Sequence, residues 1–201
     1  MLTTWPRRWP FSKPALPETV AIIGAGPLGR WLALQAARGG FRVLLEDVMP
    51  SNLHHAQEWL RQELGAAALG NEGGGVLFVS TIEDAVREAD LAIDCVPDEL
   101  ESKLEIFCLL DRMAPPRTVI ATPTTRLSIA DLASCTYRPD KCVAIAAEAS
   151  SLAGISGAEI LLQTTSRTSV ETIALLRRFW KSLGFAPVFA ADPAEAAKVG
   201  G

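Results

Sequence analysis

Residues 19–40 read TVAIIGAGPLGRWLALQAARGG, and this stretch decides the fold. Its first five residues, TVAII, form a continuous, mainly apolar run that is typical of a strand buried on both faces of a sheet. A glycine-rich loop follows at once, and residues 28–38 then have the composition of a helix that ends at a pair of glycines. A buried strand joined by a tight loop to a helix is the opening unit of a parallel α/β sheet.

The loop GAGPLG has the pattern G-x-G-x-x-G, in the strand-to-helix setting where that pattern binds a dinucleotide. Gly24 permits the tight turn, Gly26 lets backbone amides approach a pyrophosphate, and Gly29 lets the helix pack closely on the strand. Pro27 and Leu28 fall in the first helical turn, where the missing amide hydrogen of a proline has little cost. Because the start of a helix favours bound phosphate, these five residues are the predicted pyrophosphate site.

Asp47 lies 18 residues after Gly29, at the end of the second predicted strand. A carboxylate at that place accepts hydrogen bonds from the hydroxyls of the adenosine ribose. The adjacent carboxylates of Glu46 and Asp47 would repel the 2′-phosphate of NADP, and residues 48–50 supply no arginine to bind it. The sequence therefore predicts NAD as the cofactor. The alternative is a similar domain whose phosphate site no longer binds a nucleotide.

Short apolar runs and helical patterns alternate over the rest of the chain. The predicted strands are residues 19–23, 41–46, 76–79, 91–96, 118–121, 142–147, 160–163 and 187–190. Capping residues mark the starts of three helices: Ser51, Ser80 with Glu83, and Thr168 with Glu171. This alternation predicts an α/β fold of the Rossmann type, with a doubly wound, mainly parallel sheet and helices on both of its faces.

The chain is expected to have three segments. Residues 1–17 hold four prolines and two tryptophans and are predicted to form a non-helical arm. Residues 18–192 are the predicted NAD-binding domain, and residues 193–201 are a tail. The arm is suited to packing on a neighbouring subunit, which would give a homo-oligomer, or to lying on its own domain.

Charge and composition argue against several classes of function. The formal net charge is -4, so no basic field covers the molecule to attract nucleic acid. No apolar run reaches the roughly 18–20 residues of a membrane helix. The four cysteines form no CxxC pair, and the two histidines are adjacent, so no metal site is expected. These features predict a reduced, cytoplasmic protein.

Four stretches occur in an order that resembles the NAD-binding domain of the 3-hydroxyacyl-CoA dehydrogenases. They are VAIIGAGPLGRWLAL (20–34), ADLAIDCVPDELESK (89–103), APPRTVIATPTTRLSIADLA (114–133) and YRPDKCVAI (137–145). The resemblance runs from about residue 19 to residue 192. It implies NAD as the cofactor and a small hydroxy or keto compound, or an acyl-CoA, as the substrate. It also implies that Val96 and Pro97 lie beside the bound cofactor.

The residues that the resemblance assigns to catalysis depart from the family pattern. Thr125 takes the place of a family serine and preserves its hydroxyl. The position of the family's proton-transferring histidine falls on Ala146. Glu148 is the nearest acid, and Glu159 falls close to the place of the glutamate that orients that histidine. In one hypothesis Glu148 or Glu159 replaces the base; in the other, both are ordinary polar residues at strand ends.

Two functions are therefore predicted. The first is an NAD-dependent oxidoreductase with altered or reduced activity on a hydroxy or keto substrate, and the glycine loop, Asp47 and Thr125 favour it. The second is a non-catalytic NAD(H)-binding sensor or a subunit that depends on a partner, and the lost histidine favours it. In the family, a helical C-terminal domain closes the acyl-CoA cleft and forms the dimer interface. The chain ends where that domain would begin, so substrate binding and the usual dimer are expected to need another component.

Overall fold

The predicted first strand lies inside the sheet. The computed structural model describes residues 18–65, 68–70, 75–146 and 159–195. Strand β1 covers Thr19–Ile23, and all five of its residues are buried. It pairs in parallel with β2 (Arg42–Glu46) on one side and with β4 (Leu91–Asp94) on the other. Because both faces of β1 are covered, its sequence shows no alternation of polar and apolar residues.

The described residues form one eight-stranded sheet in the order β3-β2-β1-β4-β5-β6-β7-β8. The remaining strands are β3 (Gly75–Val79), β5 (Val119–Pro123), β6 (Cys142–Ile145), β7 (Glu159–Thr164) and β8 (Ala186–Ala191). Neighbouring strands are parallel except for β6 and β7, which are antiparallel. The order of the first six strands is that of a doubly wound Rossmann sheet, so the predicted fold class is confirmed.

Six helices connect these strands within the described ranges. They are α1 (Pro27–Arg38), α2 (Pro50–Leu64), α3 (Ile82–Val86), α4 (Leu100–Met113), α5 (Ile129–Ala133) and α6 (Val170–Ser182). Successive strand residues point to opposite faces of the sheet, so each face has its own core. Val20 and Ile22 pack in one cluster with residues of α1, α2 and α6. Ala21 and Ile23 pack in a second cluster with residues of α3, α4 and α5.

The predicted helix starts are each displaced by one or two residues. Helix α2 begins with Pro50 and not after Ser51, and Met49 is its N-cap residue. A proline suits the first helical position because its fixed φ matches the helix and no hydrogen bond is lost there. Helix α3 is capped by Thr81, whose hydroxyl accepts from the Asp84 amide, and not by Ser80. The capping pair was thus correct in kind but wrong by one residue.

The start of α6 differs for a physical reason. Ser169 caps this helix by accepting a hydrogen bond from the Thr172 amide. The hydroxyl of Thr168, the predicted cap, instead accepts from the Thr165 amide at 2.9 Å and closes the turn before the helix. Two adjacent hydroxyls compete for one capping position, and the turn decides between them.

Several sequence predictions lie outside the described residues. They include the arm at residues 1–17, the acid Glu148, and the part of the tail from residue 196 onward. Within the described ranges, no helix has both the length and the apolar character that crossing a membrane requires.

Candidate functional site

A cavity of about 880 Å³ opens at the carboxyl ends of β1, β2, β4 and β5. It lies where the chain crosses from one side of β1 to the other, which is where open α/β sheets bind ligands. It is lined by Ile23, Gly24, Gly26, Pro27, Leu28, Glu46, Asp47, Val48, Met49, Asn52, Ile82, Cys95, Val96, Pro97, Asp98, Ile106, Pro123, Thr124, Thr125 and Arg126. The structure therefore brings together the predicted glycine loop, Asp47, Val96, Pro97 and Thr125.

The glycine loop leaves no room for side chains where it meets the rest of the domain. Gly24 has φ +100°, and a Cβ there would stand 3.0 Å from the carbonyl oxygen of Cys95. A Cβ on Gly29 would stand 1.8 Å from the carbonyl oxygen of Gly24, so the start of α1 lies directly against the loop. Both positions require glycine, the first for its backbone conformation and the second for its close approach.

The cavity side of the same loop is open. No heavy atom lies within 4 Å of the place where a Cβ on Gly26 would stand. The amide of Arg30 donates the first hydrogen bond inside the helix, to the carbonyl of Gly26 at 3.0 Å. The amides of Leu28 and Gly29 come before it and form no hydrogen bond within the helix. Together with the positive end of the helix dipole, these amides form a site suited to a phosphate.

Asp47 connects the end of β2 to the glycine loop. Its carboxylate accepts a hydrogen bond from the Ala25 amide at 2.8 Å and another from the Met49 amide at 2.8 Å. The side-chain amide of Asn52 donates to both carboxylate oxygens, at 3.2 and 3.1 Å. The predicted ribose-binding acid is therefore held rigidly beside the predicted pyrophosphate site, at the mouth of the same cavity.

Glu46 is a second acid in the cavity wall, and the residue is only 5% exposed. Its backbone carbonyl accepts from the Gly24 amide at 2.8 Å, and no group in the described part of the chain forms a hydrogen bond with its carboxyl. Burial, and to a smaller extent the charge of Asp47, raise the pKa of Glu46 to about 7. Sequence reasoning used this residue only as a charge that disfavours NADP.

A buried ion pair that the sequence analysis did not predict supports the floor of the cavity. Lys103 on α4 donates to Asp94 at 3.2 Å, to the hydroxyl of Thr122 at 2.9 Å and to the carbonyl of Val96 at 3.3 Å. The side chains of Lys103 and Asp94 are both fully buried. Because Asp94 also accepts from the Val96 amide at 3.0 Å, the pair fixes the backbone of the loop after β4.

A signal for this pair was present in the sequence. Lys103, Phe107 and Leu110 follow the i, i+4, i+7 spacing of one helix face, and all three are buried. Leu100, an apolar residue at the start of the same helix, is 49% exposed. A lysine in the apolar stripe indicates a buried partner, and Asp94 at the end of a neighbouring strand was the candidate.

Thr125 lies at the other end of the cavity. Its amide donates to the carboxylate of Asp98 at 3.4 Å. The guanidinium of Arg126 donates to the backbone carbonyl of Asp98 at 2.6 Å and lies 3.7 Å from its carboxylate. These contacts join the loop after β5 to the loop that carries Val96 and Pro97. Both segments line the cavity.

Glu159, one of the two predicted catalytic acids, is not among the described residues that line the cavity. Ala146 follows β6 and donates its amide to the carbonyl of Leu161 at 2.9 Å. Glu159 is the exposed first residue of β7, two residues before Leu161, and so lies near Ala146 at the same edge of the sheet. Glu148 lies outside the described residues. In the described ranges, no group of three or more histidine, cysteine or acidic side chains is placed to hold a metal ion.

Comparison with known proteins places these features in one family. A family model described as "3-hydroxyacyl-CoA dehydrogenase, NAD binding domain" matches residues 19–193. The chain is 30% identical over 177 residues to 5-formyl-3-hydroxy-2-methylpyridine 4-carboxylate 5-dehydrogenase of Mesorhizobium japonicum, covering 85% of this chain and 56% of that protein. It is also 30% identical over 202 residues to the mitochondrial hydroxyacyl-coenzyme A dehydrogenase of Sus scrofa, covering 90% of this chain and 61% of that protein.

A solved structure supports the same assignment. The crystal structure of a 5-formyl-3-hydroxy-2-methylpyridine 4-carboxylic acid 5-dehydrogenase, described as an NAD⁺-dependent dismutase, superposes with a TM-score of 0.75. The two chains are 29% identical, and the match covers 90% of this chain and 61% of that one. The chain thus spans little more than half the length of the relatives it matches. The predicted cofactor, NAD, is confirmed by these matches.

Proposed function

This chain belongs to the 3-hydroxyacyl-CoA dehydrogenase family through its NAD-binding domain, and from that premise we propose that it acts as an oxidoreductase on a hydroxy or keto substrate, with a much reduced rate of proton transfer. One observation carries the proposal. The cavity brings together the glycine loop, Asp47, Val96, Pro97 and Thr125, whereas the resemblance puts Ala146 at the family's proton-transferring position. Among the described lining residues, the acidic and basic side chains are Glu46, Asp47, Asp98 and Arg126.

The residues present fit NAD(H) from one end to the other. Gly26 and the first turn of α1 would hold the pyrophosphate, and Asp47 would accept hydrogen bonds from the adenosine ribose. Val96, Pro97 and Thr125 would surround the nicotinamide. When bound there, NAD⁺ would accept a hydride and NADH would donate one. The carboxylates at residues 46 and 47, with no arginine directly after them, support a preference for NAD(H) over NADP(H).

Proton transfer is the step for which this chain is least equipped. The methyl group of Ala146 neither accepts nor donates a proton, and a well-placed general base contributes about 10²–10⁴-fold to a rate. The hydroxyl of Thr125 can hydrogen-bond a substrate oxygen but is not a base at neutral pH. Glu148 or Glu159 would have to take that role, and the substrate class we propose is a small hydroxy or keto compound or an acyl-CoA.

A second function is favoured by a different observation. Glu159 is exposed at the start of β7 and is absent from the lining of the cavity. A protein that holds NAD(H) without a base nearby is suited to sensing the nucleotide, or to serving as a subunit whose partner supplies the missing groups. In that case the nucleotide binds and no turnover follows.

The first experiment is a calorimetric titration of the protein with NADH and, in parallel, with NADPH. We expect NADH to bind at least about tenfold more tightly, because a 2′-phosphate would meet the carboxylate of Asp47. Oxidation of NADH with a series of 3-ketoacyl substrates then separates the two functions. Slow but saturable oxidation supports the oxidoreductase, and binding without oxidation supports the sensor or subunit. If neither nucleotide binds, both proposals are wrong.

A further inference from the structure

We propose that Glu46 determines specificity for the adenine base, by accepting a hydrogen bond from its exocyclic amino group. The inference rests on the proposed function, since it requires that NAD(H) binds in this cavity. It concerns a residue to which the glycine pattern and the resemblance assign no such role. Three observations carry it: the direction in which Glu46 points, the apolar character of its surroundings, and the lack of a partner for its carboxyl.

The placement of the other groups locates the base. With the pyrophosphate at Gly26 and the ribose at Asp47, the base extends beyond Asp47 into the remaining part of the cavity. Leu44 packs in the core on the α3 and α4 side of the sheet, and Glu46, two residues later in the same strand, points to that side as well. Ile82 of α3 and Ile106 of α4 also line the cavity and pack against that core.

The surroundings of Glu46 suit a flat aromatic base. Ile82 and Ile106 present aliphatic surface, and the strand neighbours of Glu46 in register are Ile23 of β1 and Val79 of β3. The charged group that acts on Glu46 from its own strand end is Asp47. An apolar slot of this kind binds the faces of a purine, and the carboxyl is then the polar group that reads its edge.

The carboxyl of Glu46 has no partner of its own. The residue is only 5% exposed, and no group in the described part of the chain hydrogen-bonds its side chain. Glu46 lines the cavity and its carboxyl oxygens remain accessible to solvent, so they are available to accept a hydrogen bond from a group of the ligand. The amino group of adenine is a donor and supplies that partner.

The chemistry of the carboxyl matches adenine in either protonation state. With the pKa of Glu46 raised to about 7, both states are populated near neutral pH. A carboxylate accepts a hydrogen bond from the amino group. A neutral carboxyl accepts through its carbonyl and donates through its hydroxyl to a ring nitrogen, which is the pattern that asparagine and glutamine use on adenine. Hypoxanthine carries a carbonyl in place of the amino group. At about pH 8, above the pKa of Glu46, the carboxylate only accepts hydrogen bonds, so it pairs with the amino group of adenine but not with that carbonyl, and the comparison is made at this pH.

The test compares NADH with reduced nicotinamide hypoxanthine dinucleotide, which differs from NADH in that one group. We expect the wild-type protein to bind NADH about tenfold more tightly than the hypoxanthine analogue. Glu46→Gln should lower this ratio, because its amide can accept from the amino group of adenine or turn to donate to the carbonyl of hypoxanthine. Glu46→Leu should lower the ratio of the two affinities to about one. The matched control is Glu105→Leu, an exposed position on α4, which should leave the ratio unchanged.

The outcomes separate this inference from the function on which it rests. Equal binding of the two nucleotides by the wild-type protein overturns the role of Glu46 and leaves the NAD site in place. An equal loss of affinity for both nucleotides in Glu46→Leu, with the ratio preserved, also overturns it. Absence of binding to either nucleotide overturns the proposed function itself. If Glu46→Leu does not fold, the wild-type ratio and the Glu46→Gln ratio still decide the question.

Discussion

Two regions of the sheet depart from the family pattern to different extents. One is the cofactor crevice, which is the cavity at the carboxyl ends of β1, β2 and β4. The other is the catalytic edge, which consists of Ala146 after β6 and Glu159 of β7, the residues that the resemblance relates to proton transfer. The crevice keeps its glycine loop and Asp47 in mutual contact through the Ala25 amide. At the catalytic edge, the resemblance puts Ala146 at the position of the family histidine, and Glu159 is exposed. Nucleotide binding uses backbone amides and one carboxylate, which local sequence fixes. Proton transfer needs one particular side chain, and a single substitution removes it.

The largest effect is expected from restoring that side chain. Ala146→His should raise the rate of NADH oxidation with a 3-ketoacyl substrate by about 10²–10⁴-fold, because the imidazole supplies the missing proton transfer. NADH affinity should not change, since Ala146 does not line the cavity. Steady-state kinetics and titration measure the two quantities. Ala186→His, at the exposed start of β8, is the control. A rate that stays at the wild-type level would show that the catalytic edge has lost more than its histidine.

The second effect concerns the floor of the crevice. Lys103→Met should lower the free energy of unfolding by about 3–5 kcal/mol, because it leaves the carboxylate of Asp94 buried without its partner. Denaturant unfolding at neutral pH measures the loss. Arg87→Met provides the comparison, since the Arg87–Asp84 pair is exposed and its loss should cost less than about 1 kcal/mol.

A double variant tests the cause of that loss. Asp94→Asn combined with Lys103→Met removes both charges, and should recover much of the stability that Lys103→Met loses. If the double variant is as unstable as the single one, packing of the lysine stem, and not the unpaired charge, accounts for the effect.

Two glycines of the same loop should respond differently to the same change. Gly29→Ala forces a Cβ to within 1.8 Å of the Gly24 carbonyl, so unfolding free energy should fall by about 1–3 kcal/mol and NADH binding should weaken with it. Gly26→Ala meets no atom within 4 Å. Its unfolding free energy should stay within about 0.5 kcal/mol of wild type, while NADH affinity falls because the methyl group occupies the approach to the phosphates. Thermal unfolding and titration together distinguish the two; equal effects would contradict the geometry of the loop.

The smallest effect depends on pH. The pKa of Glu46 is raised from 4.5 to about 7 by folding, so the charged form destabilises the native state as the pH rises through that window. Glu46→Gln removes this titration. The free energy of unfolding of Glu46→Gln should equal that of the wild type at about pH 4.5. Above about pH 7 it should exceed the wild-type value by about 1–2 kcal/mol. Denaturant unfolding at acidic and alkaline pH checks this, with Glu105→Gln, at an exposed position on α4, as the control.

Local sequence was sufficient to predict the crevice. The strand, glycine loop and helix at residues 19–38 are contiguous, and each step uses a residue whose conformational or packing property is its own. Asp47 was predictable because one βαβ unit fixes its distance along the chain from the loop. The doubly wound sheet was predictable from the alternation of strands and helices, because parallel connections allow few topologies.

Groups that act through tertiary contact were harder to predict. The helical spacing of Lys103 indicated a buried lysine, but its contact with Asp94, nine positions away on another element, is set by the fold. Glu46 looked like one of two acids at a strand end, and the burial that raises its pKa depends on helices that follow much later in the chain. Whether Glu159 reaches the cavity was equally a question of register between β6 and β7, which a sequence pattern does not set.

The contacts of Asp47 have a thermodynamic consequence. Its carboxylate already receives hydrogen bonds from Ala25, Met49 and Asn52, which use the acceptor positions that an ionised carboxylate offers. At the proposed ribose site, the two hydroxyls would bind by exchange, in which they replace the two hydrogen bonds of the Asn52 side-chain amide and the number at Asp47 stays constant. The ribose would then contribute to affinity only the difference between the hydrogen bonds gained and lost. Residue 52 is thus a position where nucleotide affinity can change while Asp47 and the glycine loop stay as they are.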